Sequence, residues 1–130
     1  MKMIHTCIRV LDLERSRDYY SKAFGLAEYA RYRFDSFTLL YMRDTHTAFE
    51  LELTQNHSRE EAYKLGDGYG HLALLSDDLE ADHQRVKSAG GEVTDIKTLD
   101  HEGKLLGRFF FATDPDGYKI EVLAKAGRFQ

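Results

Sequence analysis

Hydrophobic and polar positions along this chain follow a strand rhythm, then a helix rhythm, then strands again, and the whole series occurs twice. Met3 to Val10 alternates loosely and is rich in β-branched residues, which predicts a strand. Asp12 stands where a helix N-cap belongs, and Leu13, Ser16, Tyr20, Ala23 and Phe24 recur on one face at helical spacing. Gly25 suits the left-handed position that closes such a helix. Three more strands are predicted at about 26–33, 36–43 and 47–54, with Asp44-Thr45-His46 as the last turn. This stretch therefore reads β-α-β-β-β.

Residues 55–68 are polar and lack apolar periodicity, with room for one helical turn at Ser58-Arg59-Glu60-Glu61-Ala62; they read as a connection. The plan then repeats. A strand is predicted at 70–76, Asp78 is the next N-cap, and a helix runs through Val86 and Ala89 to Gly90-Gly91. Strands near 92–99, 106–113 and 118–123 follow, the last two joined by the hairpin turn Asp114-Pro115-Asp116-Gly117. The tail Ala124–Gln130 is small and charged and reads as surface.

The two stretches match residue by residue. His5 and His71 lie 66 apart, as do Asp12-Leu13-Glu14 and Asp78-Leu79-Glu80, and Gly25 and Gly91. Glu52 and Glu121 lie 69 apart, which puts three extra residues in a late loop of the second copy. A fixed offset is the mark of a duplicated unit. The expected fold is α+β: two tandem βαβββ modules forming a curved mixed β-sheet with helices on the outer face. Repeat 1 spans about 1–56, the connection 57–68, and repeat 2 about 69–124, within a single domain over 1–130.

Composition narrows the function. The chain has 42% hydrophobic and 31% charged residues, the balance of a soluble globular protein. A net charge of −4 argues against a nucleic-acid partner, although Arg31, Arg33, Lys104 and Arg108 leave a small anionic ligand open. No signal peptide is read at the start, and the longest apolar run, Phe109 to Ala112, is too short to cross a membrane. Cys7, the one cysteine, rules out an internal disulfide and fits a reducing compartment, so the expected location is the cytoplasm.

Strand parity sorts the candidate chemistry by face. His5, Cys7 and Arg9 share one face of the first strand; Ala48, Glu50, Glu52 and Thr54 share a face near the end of the copy. In the second copy His71 goes with Ala73 and Leu75, and Glu121 with Lys119 and Leu123. Partly buried carboxylates need a compensating charge, and a divalent metal supplies it. Two imidazoles and two carboxylates suit Ni²⁺, Co²⁺, Fe²⁺ or Zn²⁺ better than Ca²⁺ or Mg²⁺. The face alone leaves Glu50 a rival to Glu52. His46, His57, His83 and His101 read as surface, and Cys7 as a small packing residue.

Residues 3–16 (Met-Ile-His-Thr-Cys-Ile-Arg-Val-Leu-Asp-Leu-Glu-Arg-Ser), Asp18-Tyr19-Tyr20 with Gly25-Leu26, and Leu51-Glu52-Leu53-Thr54-Gln55-Asn56 together carry a likeness to a known family. So do Gly68-Tyr69-Gly70-His71-Leu72-Ala73 and Asp114-Pro115-Asp116-Gly117-Tyr118-Lys119-Ile120-Glu121. These segments resemble the glyoxalase I (lactoylglutathione lyase) family of the vicinal oxygen chelate superfamily. The resemblance implies a homodimer whose metal centre lies at the subunit interface, with His5 and Glu52 from one chain and His71 and Glu121 from the other. It implies Glu121 as the catalytic base, with Glu52 as ligand and second base, and Arg9 and Asn56 as holders of a glutathione carboxylate. Lys104 is the best match to the family's glutathione-binding lysines. The compact length resembles bacterial members that prefer nickel or cobalt. The reaction implied is conversion of the methylglyoxal–glutathione hemithioacetal to S-lactoylglutathione through an enediolate.

The chain departs from the family where Asn56-His57 replaces Asn-Trp and where Asp67 replaces a basic residue. Both changes touch the thiol pocket rather than the metal. Alternative readings are another metalloenzyme of the superfamily, such as an extradiol dioxygenase, a thiol transferase or an acyl-CoA epimerase, or a metal-free drug-binding module.

Overall fold

A computed structural model describes residues 1–130, which divide into two compact units, Met1–Lys64 and Leu65–Gln130. The division falls inside the stretch read as the connection.

In the first unit the order is β1 (His5–Arg9), α1 (Leu13–Phe24), β2 (Ala27–Arg33), β3 (Phe37–Arg43) and β4 (Glu50–Asn56). The Asp12 side chain accepts the Arg15 N–H at the head of α1, and Gly25, at φ 70°, returns its N–H to Ser21 at the tail. The sheet order is β1-β4-β3-β2, with β1 parallel to β4 and the remaining pairs antiparallel. Alternation along the strands then divides the sheet by chemistry. Ile8, Val10, Leu40, Met42, Leu51 and Leu53 are buried, as are Leu13, Tyr19, Tyr20 and Ala23 of α1. Burying each large apolar side chain contributes roughly 1.5–3 kcal/mol, enough to fix which way β1, β3 and β4 face. The opposite face, carrying the odd-numbered residues of β1 and β3, is left uncovered by the helix.

The second unit repeats the plan as β5 (Leu72–Ser76), α2 (Leu79–Ala89), β6 (Lys97–His101), β7 (Lys104–Thr113) and β8 (Lys119–Ala124), in the order β5-β8-β7-β6. Asp78 caps α2 by accepting the Ala81 N–H. Asp114 Oδ1 accepts from the N–H groups of Asp116 and Tyr118, closing the β7–β8 turn. The two tandem βαβββ modules stand as expected, each with its own four-stranded mixed sheet.

Four expectations change. No helical turn forms at residues 58–62. The strand expected at 92–99 is broken at Asp95-Ile96, leaving Val93 in an isolated bridge to Ala112 and β6 starting at Lys97. The cause is His83, expected at the surface but buried, with its ring edge-on to Phe110 at 4.8 Å. Its Nε2 lies 2.8 Å from the Thr94 carbonyl, so the Phe111 N–H turns to the Thr94 hydroxyl at 2.9 Å instead. Finally, the offset between Tyr41 and Phe111, both paired with a glutamate in register, is 70. The second copy therefore gains four residues before β7 and loses one in the last hairpin, rather than gaining three late.

The tail keeps its charged side chains outside but is tied down. Lys125 N–H bonds to the Ser76 carbonyl and Arg128 N–H to the Leu106 carbonyl, each at 3.0 Å. A Cβ added at Gly107 would stand 3.1 Å from the Phe129 ring and 3.6 Å from Leu123, so the ring packs closely over that glycine.

Candidate metal centre

On the uncovered face of the first unit, register places the chemistry. The parallel β1–β4 pairing sets His5 opposite Glu50 and Cys7 opposite Glu52. The β3–β4 pairing sets Tyr41 opposite Glu52 and Arg43 opposite Glu50. His5 Nε2 stands 3.4 Å from Glu52 Oε2, the imidazole 36% exposed and the carboxylate 11%. The Thr54 hydroxyl donates to Glu52 Oε1 at 3.1 Å, and Tyr41 donates to the same carboxylate. Cys7 Sγ lies 3.4 Å from Thr54 Oγ1. Burial pushes the Glu52 carboxyl up, but the hydrogen bonds from Tyr41, Cys7 and Thr54, with His5 alongside, outweigh it and hold the group below its ordinary value. In return the Tyr41 phenol is pushed up to about 12, chiefly by its bond to Glu52.

Glu50 is engaged elsewhere. Arg43 Nη2 reaches its Oε1 at 2.8 Å while the guanidinium lies over the Tyr29 ring at 3.5 Å. His5 therefore meets Glu52 and not its rival.

The second unit holds the equivalent pair in the equivalent register. Ala73 and Phe111 flank Glu121, and His71 Nε2 stands 3.0 Å from Glu121 Oε2. His71 is 40% exposed and Glu121 15%. Each imidazole is braced edge-on by an aromatic ring from the strand on the far side of the glutamate's strand: Tyr41 at 5.9 Å from His5, and Phe111 at 5.3 Å from His71.

Two donors bound side by side to one cation, each about 2.1 Å from it, stand about 3 Å apart. Both His–Glu pairs are spaced for that, and nitrogen with carboxylate oxygen is the donor chemistry of a first-row divalent metal. No three His, Cys, Asp or Glu side chains form a cluster able to hold an ion, and each unit carries one two-donor His–Glu pair.

Other expected site residues fall at varied distances from these pairs. Arg9 ends β1 opposite Thr54, and Asn56 ends β4 on the same face, its Nδ2 donating to the Tyr63 hydroxyl at 3.0 Å. Lys104 is exposed at the start of β7, about 23 Å by strand rise from Phe111. Of the basic residues noted in the sequence, Arg31 is paired with Glu14 and Glu28, and Arg108 with Glu80. Cys7 does not pack in the core; it is exposed on the face it shares with His5. His57 is half-buried, bonded to Thr38 Oγ1 at 2.8 Å and to the Asp35 carbonyl at 3.0 Å, whereas His46 and His101 are exposed. Tyr41 was not singled out by the sequence, although its odd position on β3 and its match to Phe111 were available signals.

Residues 2–122 match the family described as the Glyoxalase/Bleomycin resistance protein/Dioxygenase superfamily. A lactoylglutathione lyase of Neisseria meningitidis is 38% identical over 130 residues, covering 96% of this chain and 91% of that protein. The crystal structure of glyoxalase I from Zea mays superposes with a TM-score of 0.81 at 32% identity, over 94% of this chain and 44% of the maize chain. The trypanothione-dependent glyoxalase I of Leishmania major superposes with a TM-score of 0.75 at 31% identity, over 96% and 87% of the two chains. No helix is long and apolar enough to cross a membrane.

Proposed function

Because the chain belongs to the Glyoxalase/Bleomycin resistance protein/Dioxygenase superfamily, we propose that it is a metal-dependent lactoylglutathione lyase. It isomerises the hemithioacetal of methylglyoxal and glutathione to S-lactoylglutathione. The observation that carries this reading is the pair of matched His–Glu sets, 3.4 and 3.0 Å across, at one register position in each module. His5, Glu52, His71 and Glu121 would hold a divalent cation, with nickel or cobalt favoured and zinc or iron also compatible with the donors. The likeness to glyoxalase I, with one two-donor pair in each unit, favours completion of the set by pairing two copies of the chain as a homodimer.

The cation, when bound, supplies Lewis-acid polarisation of the adjacent substrate oxygens. The protein's own residues supply the rest. Glu121 takes the proton from one carbon and returns it to its neighbour through an enediolate, as a positioned general base. Glu52, already holding hydrogen bonds from Tyr41 and Thr54, remains a ligand. Arg9 lies four residues beyond His5 on the same face, about 13 Å at strand rise, and with Asn56 binds a carboxylate at the far end of the tripeptide. Reduced thiol chemistry and a single free cysteine both favour the cytoplasm.

The test is an ultraviolet assay for S-lactoylglutathione using chelated protein reloaded with Ni²⁺, Co²⁺ or Zn²⁺. Turnover should return with at least one of them, most strongly with Ni²⁺ or Co²⁺. A protein that binds all three yet forms no product from glutathione would overturn the reading. A parallel arm with trypanothione identifies a different thiol.

A further inference from the structure

The two modules agree in backbone and in their His–Glu pairs, yet differ at every neighbour of the carboxylate. Opposite Glu52 stand Cys7 on β1 and Tyr41 on β3; opposite Glu121 stand Ala73 on β5 and Phe111 on β7. Two residues beyond Glu52 is Thr54, and two beyond Glu121 is Leu123. Three positions that carry a hydroxyl or thiol in the first module carry a hydrocarbon in the second. The aromatic rings keep the same role in both, edge-on to the imidazole at interplanar angles of 73° and 74°. What separates the modules at that position is the phenolic oxygen.

We infer that Tyr41 is a positioning residue whose hydroxyl, with that of Thr54, immobilises Glu52 as a permanent ligand, and that its absence from Phe111 leaves Glu121 free to turn and carry a proton. The inference rests on the proposed reaction. A carboxylate has about four acceptor sites, and donors that occupy those pointing away from a cation fix its rotation. Glu52 has such donors on both flanking strands and on its own. Glu121 is paired with His71, and its flanking side chains Ala73, Phe111 and Leu123 carry no hydrogen-bond donor that could fix its rotation. A base must change its contacts during each turnover, whereas a ligand must not. The duplicated unit thus assigns two different duties to one residue type by changing its surroundings rather than the residue itself.

Two variants of the full chain separate this from a merely structural role. Tyr41→Phe makes the first module resemble the second, and Phe111→Tyr does the reverse. Chelated protein is titrated with Co²⁺ against a chromophoric competitor, the visible spectrum of bound Co²⁺ is recorded, and kcat and KM are measured at saturating metal. Tyr41→Phe should weaken Co²⁺ binding about 10- to 100-fold and alter the Co²⁺ spectrum. Phe111→Tyr should bind Co²⁺ at least as tightly as the parent while kcat falls about tenfold or more, because the new phenol holds the base. Co²⁺ affinity and spectrum unchanged in Tyr41→Phe, or kcat unchanged in Phe111→Tyr, would overturn the inference. A parent protein that binds no Co²⁺ would instead sink the proposed function and this inference with it. A parent that binds Co²⁺ but makes no S-lactoylglutathione would sink the function alone, and the affinity of Tyr41→Phe would still decide the role of Tyr41.

Discussion

Replacing Glu121 by Gln probes the reaction with the least disturbance to the fold. The side chains are nearly isosteric, and β8 keeps its register with Ala73 and Phe111 on either side. The pair lost, His71 with Glu121, is partly solvated at 40% and 15% exposure, so its removal should cost about 1 kcal/mol or less in stability. The amide oxygen remains a donor for a cation, and the other three ligands are untouched, so metal content falls without vanishing. Chemistry is another matter. A positioned general base contributes about 10²- to 10⁴-fold, equivalent to about 3–5.5 kcal/mol of barrier, and a carboxamide cannot accept the proton. Three measurements therefore separate: thermal unfolding shifted by a few degrees at most, metal content by mass spectrometry reduced but present, and S-lactoylglutathione formation at saturating metal down at least a hundredfold. Turnover close to that of the parent, with metal bound, would refute Glu121 as the base.

Removal of the Arg9 guanidinium in Arg9→Ala should raise KM for the hemithioacetal about tenfold or more, the value of a charge-assisted hydrogen bond of about 1.5–3 kcal/mol. A fall in kcat at unchanged KM would argue against a carboxylate contact. His83→Ala should lower the unfolding free energy in urea by about 2–4 kcal/mol, since it vacates a buried site and leaves the Thr94 carbonyl without its partner; a loss below about 0.5 kcal/mol would show that β6 simply repairs its ladder. Burial pushes the Asp44 carboxyl up, but N–H groups of Thr47 and His46 and the Thr47 hydroxyl outweigh it and hold the group below its ordinary value. Its stabilising effect is thus complete above the unfolded value of about 3.9 and lost as pH falls through the lower folded value. The stability gap between the parent and Asp44→Ala should shrink below about pH 4, and a gap that stays constant to pH 2 would contradict this.

What could be read from the chain alone was whatever depends on local pattern. Asp12 and Asp78 announce their helices because a short acceptor before an amphipathic run has one use, and both side chains take the expected N–H. Parity put His5 and Glu52 on one face, where the structure finds them 3.4 Å apart. Parity also put Cys7 on that face, where the structure leaves it exposed. His83 was legible too. It falls between Leu79 and Val86 on the buried stripe of α2. The break before β6 was not legible, because it follows from a ring nitrogen on α2 claiming a carbonyl that the strand would have used. Nor could the choice of Glu52 over Glu50 come from pattern alone, since it depends on Arg43 and Tyr29 reaching across the sheet.

The length difference between the copies bears on how this architecture tolerates change. Four residues were added before β7 and one removed after it, yet each glutamate still sits at the same register position between its two flanking strands. Insertions and deletions in connecting segments such as 44–49, 91–96 and 114–118 are therefore cheap for the donor pairs. A single residue added within β1, β4, β5 or β8 would turn an imidazole or a carboxylate to the opposite face and abolish the pairing outright. Libraries that vary length should consequently divide sharply into loop variants that keep both His–Glu pairs and strand variants that lose one.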